Sequence, residues 1–391
     1  MPEISREAPQ STLFILHPAF ALTGILQAIH GALLPSLALS LHFSDSQSGL
    51  LLTLYFSGTA LGALLCRPNY RRSMGGGFAA LTILCPCIAL SGPGFLFPLF
   101  LLMGTAVGMS CSSVSLFVGR NFTARCAPTL TFLNFSWSAG ALLAPLLAAP
   151  LLAVFTYRAV YGLLAVFTGL AALLCQALPM DRPEPVRAED RHGTLPNLKL
   201  LAIVGLLAFL EIGIENTALA WLTTYSLRTG GSGLSAAAVF SSLYWWGFLV
   251  SRGLSAFLLL RVAAIQVFRG AVGLALASAV LLAIYPEGAY RGVGMFLLGT
   301  ALAPIFPLLI ALLFGRIQRT ADTRWVLALS GFGGSVLPWL TGWISTRSGS
   351  LRVGLSTVPV ALFLMVCLLP TLAGKKDEIF PEESALDSDT A

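Results

Sequence analysis

The chain has 391 residues, of which 56% are hydrophobic and only 10% are charged, and its formal net charge is +6. Soluble domains carry roughly a quarter charged residues, so this composition excludes an ordinary soluble protein. No basic patch is interleaved with aromatic residues in the way that nucleic-acid-binding surfaces require. Apolar runs recur along the whole length, which indicates a polytopic helical membrane protein.

Twelve apolar stretches are long enough to cross a bilayer as helices, which takes about 20 residues each. In chain order they lie near 14–41, 48–66, 75–92, 95–118, 129–153, 157–178, 199–226, 235–260, 266–285, 291–314, 324–345 and 352–373. The third span is predicted to be short and broken by Pro86, and the GPG at 92–94 leaves only a tight turn before the fourth. The sequence therefore predicts an all-α polytopic membrane protein with twelve transmembrane helices.

The distribution of Lys and Arg predicts the orientation, because positively charged loops stay in the cytoplasm. With the amino terminus inside, seventeen of the 23 basic residues fall on the inner side, one lies within the eighth span, and the outer loops hold Arg158, Arg228, Arg291, Arg347 and Arg352. We expect a bacterial inner membrane protein with a cytoplasmic amino terminus (1–13) and an acidic cytoplasmic tail (374–391).

A polar segment at 179–198 divides the chain into two groups of six spans, 14–178 and 199–373, and is expected to be a cytoplasmic linker. The two groups share short motifs at nearly constant offsets. LYFSG at 54–58 matches LYWWG at 243–247, GTA at 104–106 recurs at 299–301, and Gly140 with Pro145 matches Gly334 with Pro338. This repetition predicts two pseudo-symmetric six-helix bundles. In secondary transporters of that architecture, the substrate site lies at the membrane midplane between the halves.

Four stretches point to a known family: IGIENTALAWLTTY at 212–225, SSLYWWGFLVSR at 241–252, LLGTALAPIFPLL at 297–309 and GFGGSVLPWLTGW at 331–343. With them the chain resembles the fucose permease branch of the major facilitator superfamily, whose known members are mostly proton-coupled or sodium-coupled sugar symporters. The resemblance implies the major facilitator fold and alternating-access transport of a small polar solute, a sugar. It implies no cofactor; the coupling ion is a proton, with sodium as the alternative.

The seventh span holds two acids, Glu211 and Glu215, that lie one helical turn apart on one face. Acids inside a membrane are costly and mark functional sites, and two neighbouring carboxyl groups titrate as a coupled pair. Glu215 matches the acid that the family carries in this span, so we expect it to face the cavity and couple a proton. Glu211 has a depth similar to that of Arg252, which predicts a structural ion pair. Alternatively, both acids only tie helices together.

Other polar residues within the spans are candidates for the substrate site. Gln27 and His30 lie three residues apart in the first span and are expected to face the central cavity, the alternative being a hydrogen bond between helices. His30 is also a candidate proton relay, because an imidazole exchanges protons near neutral pH. Asn134 and Trp137 share a face of the fifth span, and Asn216 follows Glu215.

Aromatic residues complete the predicted site. Tyr244 and Trp245 are expected to contact substrate, but with Trp246 they are consecutive, so at least one of the three must face lipid. Phe306 lies between two prolines, Pro304 and Pro307, where a break in the tenth span would expose backbone groups to a ligand.

Sequence motifs of other functional classes are absent. The chain has no HExxH or GxSxG motif in its spans, which argues against an intramembrane enzyme, and no GxxxxGK[ST] loop for ATP-driven transport. No metal site is expected. Within transport, the alternative to sugar uptake is proton-coupled export of drugs or amphipathic metabolites. The expected partners are a small-molecule substrate and the lipid bilayer, with no nucleic acid, and we expect a monomer.

Overall fold

A computed structural model describes residues 9–66, 69–122, 126–179, 198–230, 233–259, 261–285, 287–314 and 320–372. Within these ranges the regular structure is helical: α1 (Leu13–Leu41), α2 (Asp45–Leu65), α3 (Tyr70–Leu90), α4 (Pro93–Asn121), α5 (Cys126–Val154), α6 (Tyr157–Cys175), α7 (Leu198–Gly230), α8 (Leu234–Leu258), α9 (Ala264–Ile284), α10 (Gly288–Leu302), α11 (Ile305–Phe314), α12 (Thr320–Ser348), α13 (Leu351–Gly354) and α14 (Thr357–Leu372). The predicted acidic tail and nearly all of the predicted linker lie outside the described residues.

Among the described residues, eleven of the twelve predicted spans are long and apolar enough to cross a membrane. The exception is the eleventh, which forms the 29-residue helix α12. This helix packs against α7 and α2. Gly333, Gly334 and Ser335 of its GFGGS segment are buried there, whereas Phe332 is exposed. All twelve predicted spans are therefore helical.

Two prolines behave differently from each other. The predicted break in the third span is wrong, because α3 continues through Pro86 as one helix of 21 residues. The predicted break in the tenth span is confirmed: α10 ends at Leu302 and α11 begins at Ile305. Pro304 has no N–H group and so removes the helical partner of the Thr300 carbonyl, which opens the backbone at this point.

The helices pack as two bundles whose internal contacts correspond. In the first half α1 packs on α5 and α2 on α4, and in the second half α7 packs on α12 and α8 on α10. The halves meet through α1 with α7, α2 with α12, and α5 with α8. The interface between the bundles is therefore built from six helices, three from each half.

Glycines make the closest helix contacts, and they do so at equivalent places in the two bundles. Gly104 of α4 lies against the carbonyl oxygen of Tyr55 in α2, and Gly299 of α10 lies against that of Tyr244 in α8. A Cβ atom on either glycine would come 1.9 Å from that oxygen, so neither position accepts a side chain. Small residues allow such close approach between membrane helices. The predicted sequence repeat thus corresponds to a repeated packing contact.

One pair in the predicted repeat is wrong by a residue. Gly140 lies against the carbonyl of Ala21 in α1, and the glycine that lies in the same way against the carbonyl of Phe209 in α7 is Gly333. Gly334 faces a side chain of α7 instead. The counterpart of Gly140 is therefore Gly333, and with it the glycine and the proline of this motif repeat at one offset.

Helices α1 and α7 are equivalent helices of the two bundles, and they cross at residues that are themselves equivalent in the internal repeat. Gly31 of α1 lies against the carbonyl oxygen of Leu219 in α7, at a distance that leaves no room for a Cβ atom. Counting ten residues from Ala21 along α1 and ten from Phe209 along α7 leads to these same two positions. The crossing therefore lies close to the pseudo-twofold axis.

Replacing Gly299 by Ala tests the glycine contact. We expect Gly299→Ala to lower the melting temperature and the folded yield, since its Cβ would clash with the Tyr244 carbonyl and overpacking costs at least about 1–3 kcal/mol. The measurement is thermal unfolding of purified protein in detergent. Gly273→Ala on α9 is the matched control, because no atom lies within 4 Å of the Cβ position there. Equal stability of the two variants would contradict the contact.

Candidate functional site

Gln27 and Glu215 occupy equivalent positions in the two bundles, each one turn from the crossing of α1 and α7. They lie four residues before Gly31 and Leu219, which is about 6 Å along the helix axis. Both side chains are half-buried, and neither forms a hydrogen bond with a described residue. We call the side of the molecule on which α1 begins the N side and the opposite side the far side. Both residues therefore lie on the N side of the crossing.

Glu211 lies one turn further toward the N side and is fully buried, with both carboxyl oxygens lacking a hydrogen-bond partner among the described residues. The hydroxyl of Tyr244 is buried without a partner as well. Glu211, Glu215 and Arg252 all lie within electrostatic range of Tyr244. These four residues of α7 and α8 form a polar cluster, which we call the α7–α8 cluster.

Arg252 does not form the predicted ion pair with Glu211. Its Nη1 atom donates to Ser138 Oγ at 2.8 Å and to the backbone carbonyl of Asn134 at 3.3 Å, both in α5 of the other bundle. The guanidinium also lies 4.7 Å from the ring centroid of Phe248. Arg252 still acts electrostatically on Glu211 and Glu215. The long side chain thus reaches across the interface, where a carbonyl and a hydroxyl accept from Nη1, while its buried Nε atom has no hydrogen-bond partner among the described residues.

Aromatic rings fill the interface beside Arg252. Trp137 of α5 and Trp245 of α8 meet edge to face with centroids 6.0 Å apart. Both are buried, and Tyr244 is completely so, with its ring against Trp245. The structure therefore brings these predicted site residues together. They pack against each other between the bundles and do not form the wall of an open cavity. Trp246, by contrast, is exposed on the outer surface, as the argument from consecutive aromatics requires.

His30 does not face the central cavity beside Gln27, so that prediction is wrong. Its ring lies inside the first bundle, against Tyr55 and Phe100, and Nδ1 is 3.0 Å from the hydroxyl of Tyr161. Three residues along a helix turn a side chain by about 60° from the starting position, which is enough to move it off the cavity face. The proton-relay role of His30 stays a prediction, and it would act within the bundle.

Two predicted amides have their nitrogen atoms engaged within the protein. The Nδ2 atom of Asn216 donates to the backbone carbonyl of Gly334 in α12 at 3.4 Å, which ties α7 to α12. Asn134 is exposed, but its Nδ2 atom donates to the carbonyl of Leu130 one turn earlier in α5. Phe306 is half-buried just after the break between α10 and α11. Contact of these residues with substrate stays a prediction.

The far side of the interface is closed by a polar contact that the sequence did not reveal. The two Nη atoms of Arg228 at the end of α7 lie 2.6 Å from the two carboxylate oxygens of Asp45 at the start of α2. Ser345 of α12 donates to the same carboxylate. Forked arginine–carboxylate pairs are both strong and geometrically specific. We call these three residues the far-side contact. Within it, Asp45 and Arg228 form an ion pair.

Hydrogen bonds between α2 and α12 extend this closure toward the middle of the molecule. Ser46 donates its backbone N–H to Thr346, Thr53 donates to the backbone carbonyl of Ser335, and Ser57 bonds to the Ser335 hydroxyl. In sequence these serines and threonines read as ordinary small helix residues. What these residues share is that they lie on the helix face that meets the other bundle. That face can be identified only when the contacts between the bundles are known.

The described residues contain no group of three or more His, Cys, Asp or Glu side chains arranged to hold a metal ion. The arrangement places hydrogen-bonding and ionisable side chains between two helical bundles and closes one end of their interface. These features define a membrane transporter that binds a small molecule.

Comparison with known proteins identifies the family. Residues 16–324 match the Major Facilitator Superfamily, and the chain belongs to that family. It is 22% identical to the glucose/mannose transporter GlcP of Bacillus subtilis (strain 168), over 94% of this chain and 96% of the relative. The chain is therefore a multi-pass membrane transporter, not an enzyme.

Solved structures show the same fold at low sequence identity. The crystal structure of a D-xylose-proton symporter superposes with a TM-score of 0.77 at 14% identity, covering 94% of this chain and 98% of the other. A variant of the nucleoside transporter NupG gives 0.74 at 13% identity, covering 92% and 98%. Both comparisons confirm the predicted fold of two pseudo-symmetric bundles.

The absence of a Glu211–Arg252 ion pair leads to a prediction about stability. Removing one partner of a buried ion pair costs about 3–5 kcal/mol, whereas Glu211 accepts no bond from Arg252. We therefore expect Glu211→Gln to change stability by far less than this amount. Ser138→Ala should be the more damaging change, because it removes a hydrogen bond to a charged group, worth about 1.5–3 kcal/mol.

Thermal unfolding of the purified variants measures both effects. Ser278→Ala is the matched control, since that buried serine bonds only within its own helix. If Glu211→Gln destabilised the protein as much as Arg252→Met, and Ser138→Ala no more than the control, Glu211 would be the real partner of Arg252.

Proposed function

We propose that this protein is a proton-coupled symporter that carries a sugar across the membrane by alternating access. The observation that carries the proposal is the placement of Gln27 and Glu215 at equivalent positions beside the crossing of α1 and α7. An amide and a carboxyl group offer donors and acceptors to sugar hydroxyl groups. Similarity to the glucose/mannose transporter GlcP over nearly the full chain supports a hexose as substrate.

The proton would act through the carboxyl group of Glu215. A charged group costs roughly 2.5–3.5 kcal/mol at the centre of a membrane helix on insertion scales, so closing both ends of the interface around a bare carboxylate is unfavourable. Protonation removes that cost. The loaded protein can then pass through the closed intermediate, and substrate and proton cross together. Arg252 acts on the same carboxyl group while bonded to α5, so the charge state of Glu215 and the contact between the bundles influence each other.

The far-side contact defines which end is closed in this state. Opening the far side requires Asp45 and Arg228 to part as one bundle rocks against the other. We propose that the N side faces the cytoplasm of a bacterial cell, with both termini there. The structure would then represent a state closed to the outside.

Uptake into liposomes tests the substrate and the ion. Purified protein is reconstituted and supplied with labelled glucose, mannose or xylose under an imposed pH gradient, sodium gradient or neither. We expect the pH gradient, inside alkaline, to drive accumulation of a hexose. Accumulation by sodium alone would contradict proton coupling. Failure with every sugar, together with proton-driven movement of an amphipathic cation, would instead favour the alternative, export of drugs or metabolites.

Glu215→Gln separates coupling from binding. The amide mimics the protonated acid, so the variant should exchange labelled for unlabelled sugar across the membrane as well as the parent. It should also lose nearly all accumulation driven by a pH gradient. Glu287→Gln, an exposed acid in the far-side loop before α10, is the control and should behave as the parent. Accumulation at the parental level by Glu215→Gln would assign coupling to another group.

The proposed orientation is tested by labelling introduced cysteines. On a background without reactive native cysteines, a cysteine at Asp190 in the predicted linker should be shielded from an impermeant thiol reagent in intact cells. A cysteine at Glu287 should react. Equal labelling at the two positions would overturn the orientation, since the two sites would then lie on the same side.

A further inference from the structure

A groove of about 860 Å³ opens on the outer surface of the second bundle, between α8, α9 and α10. Its walls are mainly apolar and include Leu254, Phe257 and Leu258 of α8 and Leu274 of α9. The side chain of Phe257 is 70% exposed and that of Leu254 is 60% exposed. The groove lies away from the α7–α8 cluster and faces the surroundings of the protein. In a membrane those surroundings are lipid.

The length of the groove matches one leaflet of a bilayer. It runs from Arg261, in the loop between α8 and α9 on the N side, to Leu274, ten residues beyond the start of α9. Ten residues of helix span about 15 Å. The hydrocarbon core of a bilayer is about 30 Å thick, so this distance is one leaflet. An acyl chain would fill the groove while its headgroup stays at the membrane surface.

The charge at the N-side end of the groove favours an anionic headgroup. Arg261 lines the groove, is exposed and forms no ion pair with a described residue. Arg269 is exposed two turns further along the chain. The sequence from 216 to 286, which includes α8 and α9, contains no Asp or Glu. Basic pockets between membrane helices bind the headgroups of anionic lipids.

We propose that this groove is a binding site for an anionic phospholipid, with an acyl chain between α8, α9 and α10 and the phosphate on Arg261. The site also borders the break in the tenth span, since Thr300 and Pro304 line its inner wall. A bound chain therefore packs against the segment where the backbone lacks a helical hydrogen bond. Binding of the lipid should stabilise the packing of α8, α9 and α10.

Two glycines provide a matched pair of variants for the test. Gly270 of α9 lines the groove, and Gly253 of α8 lies on a different, exposed face of its helix. No atom lies within 4 Å of a Cβ position at either glycine, so both accept a side chain. Gly270→Trp fills the groove, whereas Gly253→Trp leaves it open. For the headgroup, Arg261→Gln is compared with Arg158→Gln, which removes an exposed far-side cation of the first bundle.

The experiment measures lipid binding by the full chain without transport, so its outcome is independent of the proposed substrate. Delipidated protein in detergent is mixed with phosphatidylglycerol or phosphatidylcholine, and thermal unfolding and native mass spectrometry are recorded. We expect phosphatidylglycerol to raise the melting temperature by several degrees more than phosphatidylcholine does, and to remain bound to the protein. Gly270→Trp and Arg261→Gln should lose this difference, and the two control variants should keep it.

Three results would overturn the proposal. Equal protection by both lipids would mean that the groove does not select an anionic headgroup. Full selectivity in both Gly270→Trp and Arg261→Gln would place the lipid elsewhere. Loss of selectivity in the controls as well would show a diffuse effect of surface charge or bulk. If Gly270→Trp does not fold, Arg261→Gln against Arg158→Gln decides the question.

Discussion

Contact between helix backbones at glycine positions is the interaction on which the rest of this structure depends. Lipid is as apolar as the side chains it surrounds, so helices in a membrane are held by close packing and hydrogen bonds rather than by hydrophobic burial. Gly104 and Gly299 close the two bundles internally, and Gly31 brings α1 against α7 between them. Because Gly31 and Leu219 are related by the internal repeat, this crossing defines the axis about which the bundles are arranged.

Polar side chains are placed relative to that crossing. On its N side lie Gln27 and Glu215, half-buried and without hydrogen bonds to described residues. On the far side Asp45 and Arg228 join the ends of α2 and α7. The asymmetry has a physical consequence. The paired charges hold the far side shut, while Gln27 and Glu215 lie on the N side of the crossing. Transport requires these two conditions to exchange ends.

Arg252 connects the chemistry of α7 with the packing of α5. Its bonds to Ser138 and the Asn134 carbonyl cross the bundle interface, whereas its charge acts on the carboxyl groups of Glu211 and Glu215 within its own bundle. Arg252 therefore belongs both to the contact between the bundles and to the α7–α8 cluster. The groove between α8, α9 and α10 begins on the opposite side of the same helix, since Ser251 lines it, so α8 separates the transport interface from the lipid.

The sequence by itself determined the membrane class, the twelve helical spans and the duplicated halves. These properties depend on local chain chemistry and on the thickness of the bilayer. They can therefore be predicted from the length of apolar runs, the spacing of proline and glycine, and the few charged residues. Only the tertiary structure decided which partners the polar residues have. His30 turns into the first bundle, Asn216 bonds to Gly334, and Arg252 bonds to α5 instead of Glu211. Those outcomes depend on rotations of about 60° around a helix axis and on contacts between residues more than 100 positions apart, and a pattern read along one chain contains neither.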